Sequence, residues 1–222
     1  MGSLWQGLLD ALNGVLNFFY HNVVSDYGIA IILLTIAIRI VILPLTIKQT
    51  KSMYDMQRLQ PKLRELQEKY KDNKEKLQKE MMSFYAEHKV NPFGGCLPLL
   101  LQMPIFYALF RVLMNSAELK SAMSLGILEL GRSPSFVFSH GFIAFIPYLI
   151  LIALMAITTY VPTKMMQTDP QQQRMGLMMV PLMIFFAWSL PTGVLLYWIT
   201  TNLWTIGQQY VTLRLAKTSE VK

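Results

Sequence analysis

Leu4, Leu8, Leu9, Leu12, Val15, Leu16 and Phe19 recur at helical spacing beside polar Gln6, Asp10, Asn13 and Asn17. The pattern predicts an amphipathic helix over residues 1–24 that lies along a membrane interface and is too polar to span. Tyr27 to Ile47 is apolar apart from Arg39, about the 20 residues that cross a hydrocarbon core. Residues 25–47 are therefore expected to form transmembrane helix 1. Residues 48–91 turn polar, with Met56, Leu59, Leu63, Leu66 and Tyr70 alternately three and four apart, and Leu77, Met81 and Phe84 following Asp72-Asn73. That spacing predicts a helical hairpin whose second-arm apolar stripe faces the first, with Pro61 restarting a helix at its tolerated first position.

Apolar runs predict transmembrane helix 2 over 92–114, helix 3 over 141–162, helix 4 over 175–190 and helix 5 over 193–213, with Pro191-Thr192-Gly193 separating the last two. Between them lie an external linker, 115–140, and a cytoplasmic loop, 163–174; a cytoplasmic tail, 214–222, ends the chain. The expected fold class is an all-α polytopic membrane protein with five transmembrane helices around a hydrophilic groove.

Composition agrees with a membrane solvent, since 53% of residues are hydrophobic and 15% charged. The net charge of +7 belongs mainly to the hairpin, where Lys48, Lys51, Arg58, Lys62, Arg64, Lys69, Lys71, Lys74, Lys76, Lys79 and Lys89 cluster. The positive-inside rule then puts the hairpin in the cytoplasm and the nearly neutral 115–140 linker outside. No removable signal peptide is expected, because Met1 to Tyr20 lacks a basic start and a small-residue cleavage site. The lone Cys96 and the scattered His21, His88 and His140 supply neither an intramolecular disulfide nor a zinc spacing. No phosphate-binding glycine loop is present and no specific nucleic-acid site is expected. The reading is of a non-enzyme without cofactor or metal.

Arg39 is the central chemical clue. It lies roughly 17 Å into its span at about 1.5 Å per residue, too deep to snorkel easily. A guanidinium there costs about 2.5 to 3.5 kcal/mol on insertion scales, and neither the apolar run Tyr27 to Ile47 nor any of the other expected spans contains Asp or Glu. A water-filled cavity would keep the cation hydrated. Thr35, Gln102, Thr158, Thr159 and Asn202 are candidate lining, with a face of Tyr197, Thr201, Trp204 and Gln208 on the last span. A purely structural Arg39, bonded to helix carbonyls and hydroxyls, is the competing reading, and the Thr and Gln residues could equally serve interhelical hydrogen bonds. Arg111, near the outer end of its span, needs only to snorkel. Met165, Met166, Met175, Met178 and Met179 could form an adaptable apolar edge or simply fill the core.

Three blocks carry a resemblance over essentially the whole chain: Thr35-Ile36-Ala37-Ile38-Arg39 to Pro44-Leu45-Thr46; Asn91-Pro92-Phe93-Gly94-Gly95-Cys96-Leu97-Pro98 through Gln102-Met103-Pro104-Ile105-Phe106; and Pro191-Thr192-Gly193 through Tyr197-Trp198 and Asn202 to Gln208-Gln209. In these the chain resembles the YidC family of membrane protein insertases, within the wider Oxa superfamily. The resemblance implies a groove open to cytoplasm and lipid but closed outside, in a multi-pass protein of the bacterial inner membrane. It implies that Arg39 attracts the acidic flank of a client, and that Met103, Phe106 and Trp198 form an apolar slide for it. Nascent membrane proteins and the lipid bilayer are the implied partners, with a Sec translocon and the ribosome as further candidates. The tail after Leu213 is short beside the long basic tails of some members, and no counterpart of the extra N-terminal span and large external domain of many Gram-negative members is found.

The alternative reading is an anion channel or transporter with Arg39 as selectivity charge, against which stand the missing repeats and coupling carboxylates. A scaffold whose hairpin binds partners leaves Arg39 unexplained, and an intramembrane protease lacks a Ser–His or paired-Asp constellation in the spans.

Overall fold

The computed structural model describes residues 2–88, 90, 97–166 and 170–220. Among these the chain forms helices α1 (Gly2–Asn22), α2 (Tyr27–Lys69), α3 (Lys74–Glu87), α4 (Leu97–Asn115) and α5 (Ala117–Ser121). A two-stranded hairpin, β1 (Met123–Ser124) and β2 (Leu128–Glu129), follows, then α6 (Pro134–Phe138), α7 (Phe142–Met166), α8 (Pro170–Ser189) and α9 (Thr192–Glu220). Within the described residues α2 and α7 are long and apolar enough to cross a membrane, and Gly176–Ser189 is a shorter apolar helix.

Helix α2 organises the molecule. Asp26 caps it, its carboxylate accepting the Gly28 and Ile29 N–H groups at 2.8 and 3.0 Å, which satisfies donors that a helix start leaves free. The helix then runs 43 residues, with both Pro44 and Pro61 inside it, a length of roughly 65 Å at about 1.5 Å per residue. The expected restart at Pro61 is therefore not made: the proline removes one backbone bond, while Gln60 and Leu63 are buried around it and keep the helix in register. The hairpin turn falls at 70–73, where Asn73 caps α3 by accepting the Lys76 N–H at 2.9 Å. No α3 residue is fully buried, so α3 lies lightly on α2.

Three later helices reach further than the sequence expectation at their cytoplasm-assigned ends, whereas α1 stops at Asn22, short of the expected 24. Helix α7 continues to Met166, α8 begins at Pro170, and α9 continues to Glu220 rather than stopping at Leu213. Polar residues entering a helix do not by themselves end it. The Asn91 to Cys96 motif and Asp169 lie outside the described residues.

One core joins α1, α2, α4 and the start of α9 through Leu16, Ala30, Ile31, Leu34, Ala108, Leu109 and Val194. A second joins α7, α8 and α9 through Tyr148, Met155, Ala187, Leu195 and Ile199. The 115–140 segment, which has no periodic pattern, is folded rather than loose. The Asp26 carboxylate also accepts Ser124 Oγ at 2.9 Å and the Leu125 N–H at 2.7 Å, holding Leu125 at φ 53 beside Gly126 at φ 68. At its other side the Thr192 and Gly193 N–H groups donate to the Arg132 and Leu130 carbonyls, both at 2.9 Å. Thus the segment ties the starts of α2 and α9 together, through the Asp26 carboxylate on one side and backbone bonds on the other. Gly131 is pressed so close to Lys120 that a Cβ would stand 2.4 Å from its carbonyl oxygen.

Gly131→Ala should therefore lower stability by about 1 to 3 kcal/mol, as overpacking against backbone does. Leu125→Asn, at an exposed left-handed position, should be neutral or stabilising by up to about 1 kcal/mol. Thermal unfolding in detergent checks both, and equal effects of the two variants would contradict the account.

Candidate functional site

Arg39 sits on the stretch of α2 that faces α4 and α9. Its Nη2 donates to the Gln102 side-chain oxygen at 3.1 Å, and the Gln102 amide nitrogen donates in turn to the Tyr197 hydroxyl. No carboxylate pairs with Arg39 among the described residues. One neutral partner leaves most of its five donors and its full charge to be compensated by solvent.

That solvent has room. A cavity of about 310 Å³ is lined by Arg39, Ile42, Thr46, Gln49, Thr50 and Met53 of α2, by Gln102 of α4, and by Trp198, Thr201, Asn202, Thr205, Gln208 and Gln209 of α9. Thr46 Oγ1 and Trp204 Nε1 both donate to the Gln208 side-chain oxygen, at 3.1 and 3.2 Å. Asn202 reaches Thr158 and Thr159 of α7 at 3.3 and 3.1 Å. Buried Gln49 and Gln209 have side-chain polar atoms with no protein partner, a state seldom left uncompensated without water or a ligand.

Of the residues singled out from sequence, Arg39, Gln102, Thr201, Asn202 and Gln208 line this cavity. Tyr197, Trp204, Thr158 and Thr159 stand one hydrogen bond behind it. Thr35 does not reach it: the residue is 1% exposed and gives its hydroxyl to the Ile31 carbonyl at 2.7 Å, on the packed side of α2. Trp198 lines the cavity while packing edge-on against Phe106, ring centroids 5.4 Å apart. Met103 is 53% exposed on the outer surface of α4. Thr46, Gln49, Thr50, Thr205 and Gln209 were not singled out. The signal was present, since Arg39, Ile42, Thr46, Gln49 and Met53 follow a strict three–four spacing, but it runs past Ile47, where the apolar run stops.

The cavity thus places a cation in a polar space between helices α2, α4 and α9. The family model described as "60Kd inner membrane protein" matches residues 18–219. The chain belongs to that family. A Geobacter sulfurreducens relative named membrane protein insertase YidC is 41% identical over 207 residues, 92% of this chain and 37% of the relative. A Haemophilus influenzae protein of the same name is 42% identical over 200 residues, 88% of this chain and 35% of the relative. A crystal structure described as an active YidC insertase with its first transmembrane domain resolved is similar at 29% identity, with a TM-score of 0.72. It covers 90% of this chain and 46% of the solved one. The chain therefore spans less than half the length of the 60Kd-family relatives it matches here.

A wet cavity predicts a chemical asymmetry. In a Cys96→Ser background in proteoliposomes, cysteines at Gln49 and Asn202 should react with a water-soluble maleimide at least about tenfold faster than one at Val41, since thiolate forms only where water reaches. Val41 is 76% exposed on the protein's outer surface, so equal rates at the three sites would contradict a cavity wetter than the surrounding lipid.

Proposed function

We propose that the chain is the membrane-embedded core of an insertase that takes apolar segments of nascent membrane proteins from the cytoplasm and releases them sideways into the bacterial inner membrane. The observation that carries this reading is Arg39, a cation on an apolar helix, held by Gln102 in a polar cavity with no acidic partner among the described residues. The 60Kd family membership and the insertase names of the relatives support it.

Five crossings are proposed: α2 as far as Ile47, then α4, α7, α8 and α9. The basic arm of α2 beyond Lys48, with α3, lies in the cytoplasm by the positive-inside rule and is the surface best suited to recruiting clients, with a Sec translocon or the ribosome as further partners. The Asp26 to Gly193 linkage closes the opposite end.

Magnitudes assign the roles. An apolar segment of about 20 residues gains about 0.3 to 0.6 kcal/mol for each strongly apolar residue on entering the bilayer, of order 10 kcal/mol in all. A solvated ion pair contributes about 1 kcal/mol or less. Partition into lipid therefore drives insertion. Arg39 steers, drawing a client's acidic flank into the cavity and letting it go. Trp198, Phe106 and Met103 offer the apolar segment its first contacts.

The test is site-specific crosslinking from Met103 and Trp198 to a single-span client with an acidic flank during reconstituted insertion. Crosslinks should appear before insertion is complete. Arg39→Ala should slow acidic-flank clients by about twofold to fivefold, the factor that a pair of this strength represents, and neutral-flank clients less. Equal activity of Arg39→Ala on all clients would remove the steering role, and anion flux without any client crosslink would favour a channel.

A further inference from the structure

A second cavity, of about 360 Å³, opens between α1 and the far end of α4, away from Arg39. Its volume falls in the range of roughly 300 to 1,000 Å³ found for small-molecule sites. Asp10, Asn13 and Asn17 line it from α1, one above another at helical spacing, and face Arg111, Asn115 and Glu118. The charges do not quench one another. Arg111 makes no ion pair with Asp10 or Glu118 among the described residues; Asp10 accepts from the Gln6 amide at 3.2 Å, and Glu118 meets the Tyr27 hydroxyl. One guanidinium and two carboxylates are thus held apart around one opening.

Its surroundings say what kind of molecule arrives there. Tyr107 of α4, one turn before Arg111, is half-exposed and stacks on Trp5 with ring centroids 5.4 Å apart, while Leu8 and Val15 make the opposite face of α1 apolar and exposed. Aromatic pairs of this kind settle at headgroup level. A polar opening with a divided charge, beside an aromatic pair and on a helix whose opposite face is apolar, matches a lipid better than a free anion.

We propose that the groove between α1 and α4 binds the headgroup of a zwitterionic amino-phospholipid, of the phosphoethanolamine type, with its phosphate on Arg111 and its ammonium between Asp10 and Glu118. The carboxamides of Asn13, Asn17 and Asn115 supply further donors for the phosphate and ester oxygens. A purely anionic headgroup would meet two like charges for one opposite. A quaternary choline carries the positive charge but no N–H to donate to the carboxylates. The site therefore selects the primary ammonium. A lipid held there would act as a wedge fixing α1 against α4. The proposal shares the interfacial placement of α1 with the insertase reading, but not its client cavity.

Native mass spectrometry of the full chain, delipidated and then offered equal amounts of phosphatidylethanolamine, phosphatidylcholine and phosphatidylglycerol with identical acyl chains, tests it. The wild-type protein should retain the ethanolamine lipid about fivefold over either competitor, the scale of one charge-assisted hydrogen bond at a partly exposed site. The Asp10→Asn, Glu118→Gln double variant should bring ethanolamine lipid down to the choline level while leaving choline lipid bound. Arg111→Gln should weaken both by a similar factor, and Arg111→Lys should retain most binding; circular dichroism of each variant confirms the fold. Arg39→Ala should leave the lipid profile unchanged whatever it does to insertion, which separates this site from the client cavity. Preference for the glycerol lipid, equal retention of all three, or a profile insensitive to the carboxylate and Arg111 variants would overturn the proposal.

Discussion

With Arg39 placed in the hydrocarbon layer, as proposed, its guanidinium must be kept wet, and the polar lining around it answers that requirement. Desolvating it fully would cost far more than the Gln102 bond returns. The cheapest solution is to leave a space beside it and line that space with amides and hydroxyls. A space lined by Thr46, Gln49, Thr205 and Gln208 lies between α2 and α9, which are bonded to each other there at Thr46 and Gln208 and share the apolar core at Ile31 and Val194. Packing at one end and hydration at the other are two halves of one compromise.

The ends of the bundle are closed and opened by different chemistry. At the starts of α2 and α9, backbone groups of the 122–132 region accept and donate directly to the helix ends, leaving little slack. Gly193 lets α9 approach so tightly that a Cβ there would meet Leu113 at 2.9 Å. Around Gln49 and Gln209, by contrast, polar side chains are left with unused hydrogen-bonding capacity. The first end is built from bonds that the chain makes to itself, the second from groups waiting for something else.

What could be read from sequence was whatever depends on local periodicity and on the cost of a misplaced charge. Arg39 stood out for its depth alone, and the Tyr197, Thr201, Trp204, Gln208 face of α9 for its spacing. Thr35 sits one turn before Arg39 and looked equivalent, but a hydroxyl can turn back onto its own helix, and Thr35 does so against Ile31. Gln49 and Thr50 were hidden because hydropathy marks where lipid ends, not where a helix or a cavity ends. The folded 115–140 segment depends on bonds between residues nearly a hundred positions apart, such as Asp26 with Ser124. No local pattern encodes such a pair.

The unbroken run of α2 through Pro44 and Pro61 has a mechanical consequence. One wall of the Arg39 cavity and the basic arm beyond Lys48 are the same rod, without a joint between them. A force applied to the arm, by a partner or by the membrane surface, acts on the wall as a torque rather than being absorbed at a hinge. Widening or narrowing of the cavity is in this way geared to the angle of a lever that projects well beyond it.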